Sequence, residues 1–127
     1  MLYLIVFIGA GIGGALRHGV NVGAAKLFGF GFPFGTFIVN IIGSFAMGLL
    51  AGYFAYRSGF PQHVRLFLTT GILGGFTTFS TFSLDAALLI ERNSYGAAAG
   101  YLVGSVAAGL SALFFGLAVF RSAGHLP

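Results

Sequence analysis

Charge is scarce in this chain. Its 127 residues include only two acids, Asp85 and Glu91, beside six Lys or Arg, 6% charged in all, where an ordinary soluble domain carries about a quarter. With 57% hydrophobic residues and a mean hydropathy of +0.99, the chain reads as an integral membrane protein. Cysteine is absent, which excludes disulfides and thiolate chemistry and leaves the redox compartment open. Tryptophan is absent too, so an aromatic belt at the membrane surface falls to tyrosines such as Tyr3, Tyr56 and Tyr95. The pI near 10 reflects the lack of acids. The six cations are scattered, whereas nucleic-acid binders gather theirs on one face, so no nucleic-acid partner is expected.

Each membrane crossing needs about 20 mostly apolar residues. Residues 1–127 therefore hold a single transmembrane domain of four helices with brief loops, leaving no room for a soluble domain. Gly, Pro and charge gather in GFGFPFG (29–35), YRSGFPQH (56–63) and ERNSYG (91–96), and these breaks predict helices over about 2–27, 34–56, 64–91 and 96–120. The N-terminal MLYLIVFIGA lacks the basic start of a secretion signal and is expected to begin the first permanent helix uncleaved. Arg17 and His18 lie toward the far end of that span, where a long arginine can snorkel or face a wet cavity. Gly9 with Gly13, Gly48 with Gly52 and Gly100 with Gly104 recur at one-turn spacing, the pattern that lets helix backbones approach closely in lipid.

With four crossings, the termini and second loop share one side and hold Arg57, Arg65 and Arg121; the first and third loops hold Arg17, Lys26 and Arg92. The count is three against three. Orientation follows the Lys/Arg imbalance near helix ends, so a balanced chain is expected to insert both ways and to pair as an antiparallel homodimer with a twofold axis in the membrane plane. The alternative is a single orientation fixed by other features.

Several motifs fail on context. VFIGAGIGGAL (6–16) places Gly9, Gly11 and Gly14 in a GxGxxG pattern, but a dinucleotide site needs an acid about 20 residues on, and none occurs before Asp85; a glycine packing face is the better reading. A proton-coupled exporter of the small multidrug type needs a membrane-embedded carboxylate, and the first two spans have none; Asp85 and Glu91 flank the end of the third. His18, His63 and His125 lack metal-ligand spacing. No catalytic residue, organic cofactor or enzyme activity is expected.

Two features remain. Asn40, inside FGTFIVNIIGSFAMG, is an uncharged amide in mid-span, costly unless it bonds a neighbouring helix or lines a pathway. GGFTTFSTFS (74–83) puts Gly74, Gly75 and five hydroxyls into an otherwise oily run. A helix break there exposes carbonyls and amides that survive only when buried in protein or facing water, and such carbonyls commonly coordinate a cation such as Na⁺. At a twofold axis, two such breaks would make a symmetric cage. Phe76, Phe79 and Phe82 recur every three residues on nearly one face. Their positive ring edges, beside the donors of Asn40, Thr and Ser, offer an anion weak contacts without a fixed charge, which suits conduction; the bland alternative is a lipid-facing or packing stripe.

GGALRH (13–18), GTFIVNIIGSF (35–45) and TGILGGFTTFSTFS (70–83) resemble the Fluc, or CrcB, family of fluoride channels over essentially the whole chain. The resemblance implies an all-α membrane protein with a broken third helix, an antiparallel dual-topology homodimer with two pores, passive export of F⁻ and a bacterial inner (plasma) membrane location. It implies that Phe79 and Phe82 line the pore, that Asn40 is a pore amide contributed by the partner subunit, and that carbonyls of Gly74 and Thr77 hold a structural Na⁺ at the dimer interface. Tyr101 and Ser105 resemble the family's polar track, with Thr36 and Ser111 as weaker members, and Arg17 an arginine near the pore mouth. Asp85 departs from the family, whose members often carry Glu there. The rivals are a proton-coupled small-cation exporter and a non-transporting helical packing subunit.

Overall fold

The computed structural model describes residues 1–56 and 59–124, with the side chains of Tyr56 and of residues 121–124 left out of the description. Arg57 and His125, and the side chains of Tyr56 and Arg121, thus lie outside the described residues.

Helix α1 spans Leu2–Phe28 and α2 Phe34–Tyr56. Gly29 ends α1 in the left-handed region (φ 77°) and returns its N–H to the Ala25 carbonyl, a conformation glycine adopts without a Cβ clash. The third apolar stretch is built in pieces: α3 Gln62–Leu66, a π-helical segment Phe67–Leu73, and α4 Gly74–Phe76. Thr77 is extended (φ −83°, ψ 157°) and α5 runs over Ser80–Glu91. Asn93 ends α5 at φ 62°, and the Asn93 and Ser94 N–H groups bond back to Ile90 and Leu89, so an Asn does here what glycine does after α1. Helix α6 is Tyr95–Gly124. Four helical stretches are long and apolar enough to cross a membrane.

Helix α2 packs chiefly on α6, α1 on the π segment, α4 and α2, and α5 on α6. Two glycine crossings set these distances. A Cβ on Gly13 would collide with the Ile72 carbonyl oxygen and stand 2.8 Å from the Phe76 nitrogen; one on Gly48 would collide with the Leu113 carbonyl oxygen. Backbone meets backbone at both, the close approach by which helices associate where no hydrophobic force separates protein from lipid. A Cβ on Gly100 would meet nothing within 4 Å among the described residues and one on Gly104 would meet Phe37 at 3.7 Å, whereas one on Gly116 would crowd the backbone of Phe45 and Leu49 of α2. The close seam of α6 thus lies further along the helix than the Gly100 and Gly104 spacing suggests.

Ala86, Leu89, Ala98 and Tyr101 form a buried cluster between α5 and α6, with Phe32, Phe37 and Phe82 against it. Outside, Phe7, Ile12 and Leu16 of α1 and Val103, Leu110 and Phe114 of α6 are exposed. Apolar surface on that scale suits lipid or another protein.

Candidate functional site

The turn between α4 and α5 is assembled by side chains that stand in for missing helical bonds. Thr77 donates both its N–H and its hydroxyl to the Leu73 carbonyl, each at 3.0 Å. Asn40 reaches across from α2: its Oδ1 accepts the Thr78 N–H at 3.0 Å and its Nδ2 donates to the Thr78 carbonyl at 3.1 Å. Thr78 Oγ1 accepts the Thr81 N–H at 3.2 Å, the capping bond that satisfies a first-turn donor of α5. Gly43, one turn beyond Asn40, leaves room for the Thr77 methyl.

Beside this turn is a cleft of about 360 Å³ lined by Asn40, Thr77, Thr78, Phe79, Phe82 and Ser105, with Gly43, Ser44, Met47, Val106 and Leu113 completing its wall. Among the described residues none that lines it is charged. Phe79 is 78% exposed; its ring lies 5.8 Å from that of Phe82, and Phe82 lies 5.1 Å from Tyr101. Ser105 Oγ is buried, and among the described residues it has no hydrogen-bond partner. A buried hydroxyl left unpaired costs about 1–3 kcal/mol, so the cleft holds an unused polar group where packing alone favours none.

Tyr101 links this cleft to a second. Fully buried, it stands edge-on to Phe32 at 5.4 Å and donates its hydroxyl to Asp85 Oδ2 at 3.2 Å. The second cleft, about 630 Å³, is lined by Asn21, Thr36, Thr81, Asp85, Glu91 and Arg92 among others. Arg92 Nη2 donates to the Gly31 carbonyl at 3.0 Å, which ties the third loop to the first at that end of the bundle.

Asn40, Phe79, Phe82 and Ser105 therefore share one cleft of a single chain, where the resemblance implied an Asn40 contributed by the partner subunit; Thr36 lines the other, and Tyr101, which lines neither, touches Phe82 of the first and bonds Asp85 of the second. Ser111 is exposed and lines neither, and half-buried Arg17 lines neither. Since α1 extends to Phe28, Arg17 sits roughly 16 Å from its end at 1.5 Å per residue, near mid-helix and deeper than a position toward the far end of the span. Phe76 is buried at 9% exposure and absent from the cleft: the turn at Thr77–Phe79 separates it from the Phe79 and Phe82 pair, so three-residue spacing does not put all three on one face. Gly74 is exposed at the start of α4 and Thr77 follows its end. Sequence reasoning took Thr78, with Thr77, as weakening the helix and missed its capping role, although a Thr three residues ahead of a helical residue is a capping signal.

The sequence pattern described as "CrcB-like protein, Camphor Resistance (CrcB)" matches residues 4–117. A protein of Methylobacterium nodulans named "Fluoride-specific ion channel FluC" is 66% identical over 121 residues, 95% of this chain and 97% of that one. Proteins of the same name from Rhodopseudomonas palustris and Beijerinckia indica are 57% and 59% identical, covering 96% and 94% of this chain and 98% and 95% of theirs.

Proposed function

The chain belongs to the CrcB family, and from that premise we propose that it is a fluoride-selective channel that lets F⁻ leave the cell passively. The observation that carries this reading is a cleft that brings together Asn40, Phe79, Phe82 and Ser105 without a charged lining residue among the described residues, the buried Ser105 hydroxyl having no hydrogen-bond partner among them. A small, strongly hydrated anion crosses only if compact donors replace its water. Ser105, the remaining Asn40 N–H and the positive ring edges of Phe79 and Phe82 supply them without a fixed cation that would hold the ion too long. Tyr101 and Thr36 continue the polar track toward the second cleft; Ser111 and Arg17, which line neither cleft of the single chain, would join the pathway only in the dimer. The absence of charge in the first cleft argues against proton-coupled cation exchange, which needs a carboxylate there.

The working unit in this reading is an antiparallel homodimer of dual-topology subunits in a bacterial inner membrane. Support comes from the balanced Lys/Arg count of the sequence and from apolar faces on α1 and α6 that single-chain packing leaves uncovered. The third crossing is then a broken membrane helix, its irregular backbone tolerated because it faces protein and the pathway. Exposed Gly74, with Thr77, would present carbonyls to a Na⁺ shared between subunits, which would supply positive charge at the break.

Purified protein in liposomes tests the reading. Trapped F⁻ is released without a pH gradient while Cl⁻ is retained; drug exchange driven by protons supports the exporter instead, and absence of any flux supports a packing subunit.

A further inference from the structure

The bonds at Thr78 form a sequence of substitutions. In a continuous helix each N–H bonds the carbonyl four residues earlier, so the Thr78 N–H would go to Gly74 and the Thr81 N–H to Thr77. Neither does. The Thr78 N–H goes to Asn40 Oδ1 and the Thr81 N–H to Thr78 Oγ1. Asn40 also holds the Thr78 carbonyl through Nδ2, and this two-point grip discriminates between backbones. In a helix the N–H and C=O of one residue point opposite ways along the axis, out of reach of a single planar amide. In an extended residue they face the same edge, as in a strand pair that exchanges both bonds. The Asn40 carboxamide therefore fits the non-helical residue and not the helical one, the differential affinity needed to bias a two-state backbone.

We propose that Asn40 is a positioning residue: gripping Thr78 in non-helical form, it diverts the two N–H donors that would cover the Gly74 and Thr77 carbonyls and leaves both free for a cation. Thr78 is its relay, since the same residue, once held, caps α5 and sets the helix that carries Phe82 and Asp85. The inference deepens the channel reading and rests on it for the purpose of the freed carbonyls. It also assigns the donors of Asn40: one Nδ2 hydrogen is committed to Thr78, and one remains for the pathway.

The test is residue-resolved amide hydrogen exchange on the full chain in lipid nanodiscs. In Asn40→Ala the Thr78 and Thr81 N–H groups exchange at least tenfold faster, while Gly116 in the α2 and α6 seam keeps its wild-type rate and certifies the fold. In Thr78→Val, the Thr81 N–H loses protection and the Thr78 N–H keeps it. Asn40→Asp adds a second readout should the alanine variant fail to fold. An ionised Asp accepts from the Thr78 N–H but cannot donate to its carbonyl; a protonated one does both, so Thr78 protection relative to Gly116 rises as pH falls through the carboxyl's titration. No ionisable side chain from α2, α4, α5 or α6 lines this cleft among the described residues, and Asp85, Glu91 and Arg92 line the other, so the introduced carboxyl is the group that titrates. Unchanged Thr78 exchange in Asn40→Ala, above all with slowed F⁻ efflux, overturns the proposal and leaves Asn40 acting on the ion directly. A flat pH profile in Asn40→Asp with Thr78 no better protected than in Asn40→Ala overturns it as well. Wild-type protein that passes no fluoride while Thr78 still responds to Asn40 refutes the channel reading and leaves the grip standing.

Discussion

Replacing Ser105 by alanine separates stability from conduction by sign. The substitution removes one oxygen and little volume. If Ser105 were structural, its loss would cost a hydrogen bond, about 1 kcal/mol. Among the described residues Oγ has no partner in its buried position, so alanine relieves roughly 1–3 kcal/mol of unpaid desolvation and gains about half a kcal/mol of helix propensity in α6. The variant should be more stable by roughly 1–3 kcal/mol, read as reversible unfolding in mixed micelles. Conduction moves the other way. A hydrogen bond to a charged partner contributes about 1.5–3 kcal/mol, so F⁻ efflux from liposomes should slow by roughly tenfold to a hundredfold at 1.4 kcal/mol per decade. A variant that is destabilised yet conducts at the wild-type rate would refute the reasoning on both counts, because the hydroxyl would then have a structural partner and no ion to serve.

Three further outcomes follow from the same geometry. Phe79→Ile and Phe82→Ile keep apolar bulk but lose the ring edges, and each should slow F⁻ efflux at least tenfold in a stopped liposome assay; wild-type rates in both would reduce the pair to packing. Gly13→Ala places a Cβ against the Ile72 carbonyl and Phe76 nitrogen, backbone atoms that cannot rotate away, and should destabilise by about 1–3 kcal/mol. Gly11→Ala, two residues along and with nothing within 4 Å, should be neutral or stabilising, and equal effects in the two would contradict the crossing. Tyr101→Phe keeps the stack on Phe32 and Phe82 but drops the bond to Asp85; melting should shift by no more than about 1–3 kcal/mol while efflux falls, and unchanged efflux would remove Tyr101 from the pathway.

Four apolar helices were legible in the sequence because length and hydropathy are sums over many residues. Gly9 and Gly13 were legible as a packing face for a similar reason: repeated small residues on one helix face have few other uses in lipid. Within GGFTTFSTFS the sequence offered two weak points, the glycine pair and the Thr77–Thr78 pair. Gly74 and Gly75 are helical, and a Cβ on Gly75 would stand 2.8 Å from Ala10 Cα, so glycine here admits a neighbouring helix. The helix ends one turn later, where Thr77 and Thr78 supply side-chain substitutes for backbone bonds. Asn40 stood out as an expensive amide, but no periodicity announces that its partner is a backbone 38 residues away. Phe76 shows the limit of spacing arguments, which assume the helix continues; once it stops, one ring is buried and the next exposed. The π-helical stretch Phe67–Leu73 left no mark that composition could disclose.

The central claim is that uncharged donors beside an interrupted helix carry fluoride and exclude chloride. Its most direct test is the reversal potential of the reconstituted wild-type protein in a planar bilayer with fluoride salt on one side and chloride salt on the other, at equal pH. The account predicts a current that reverses near the fluoride equilibrium potential; reversal near zero, or current that appears only under a proton gradient, would contradict it.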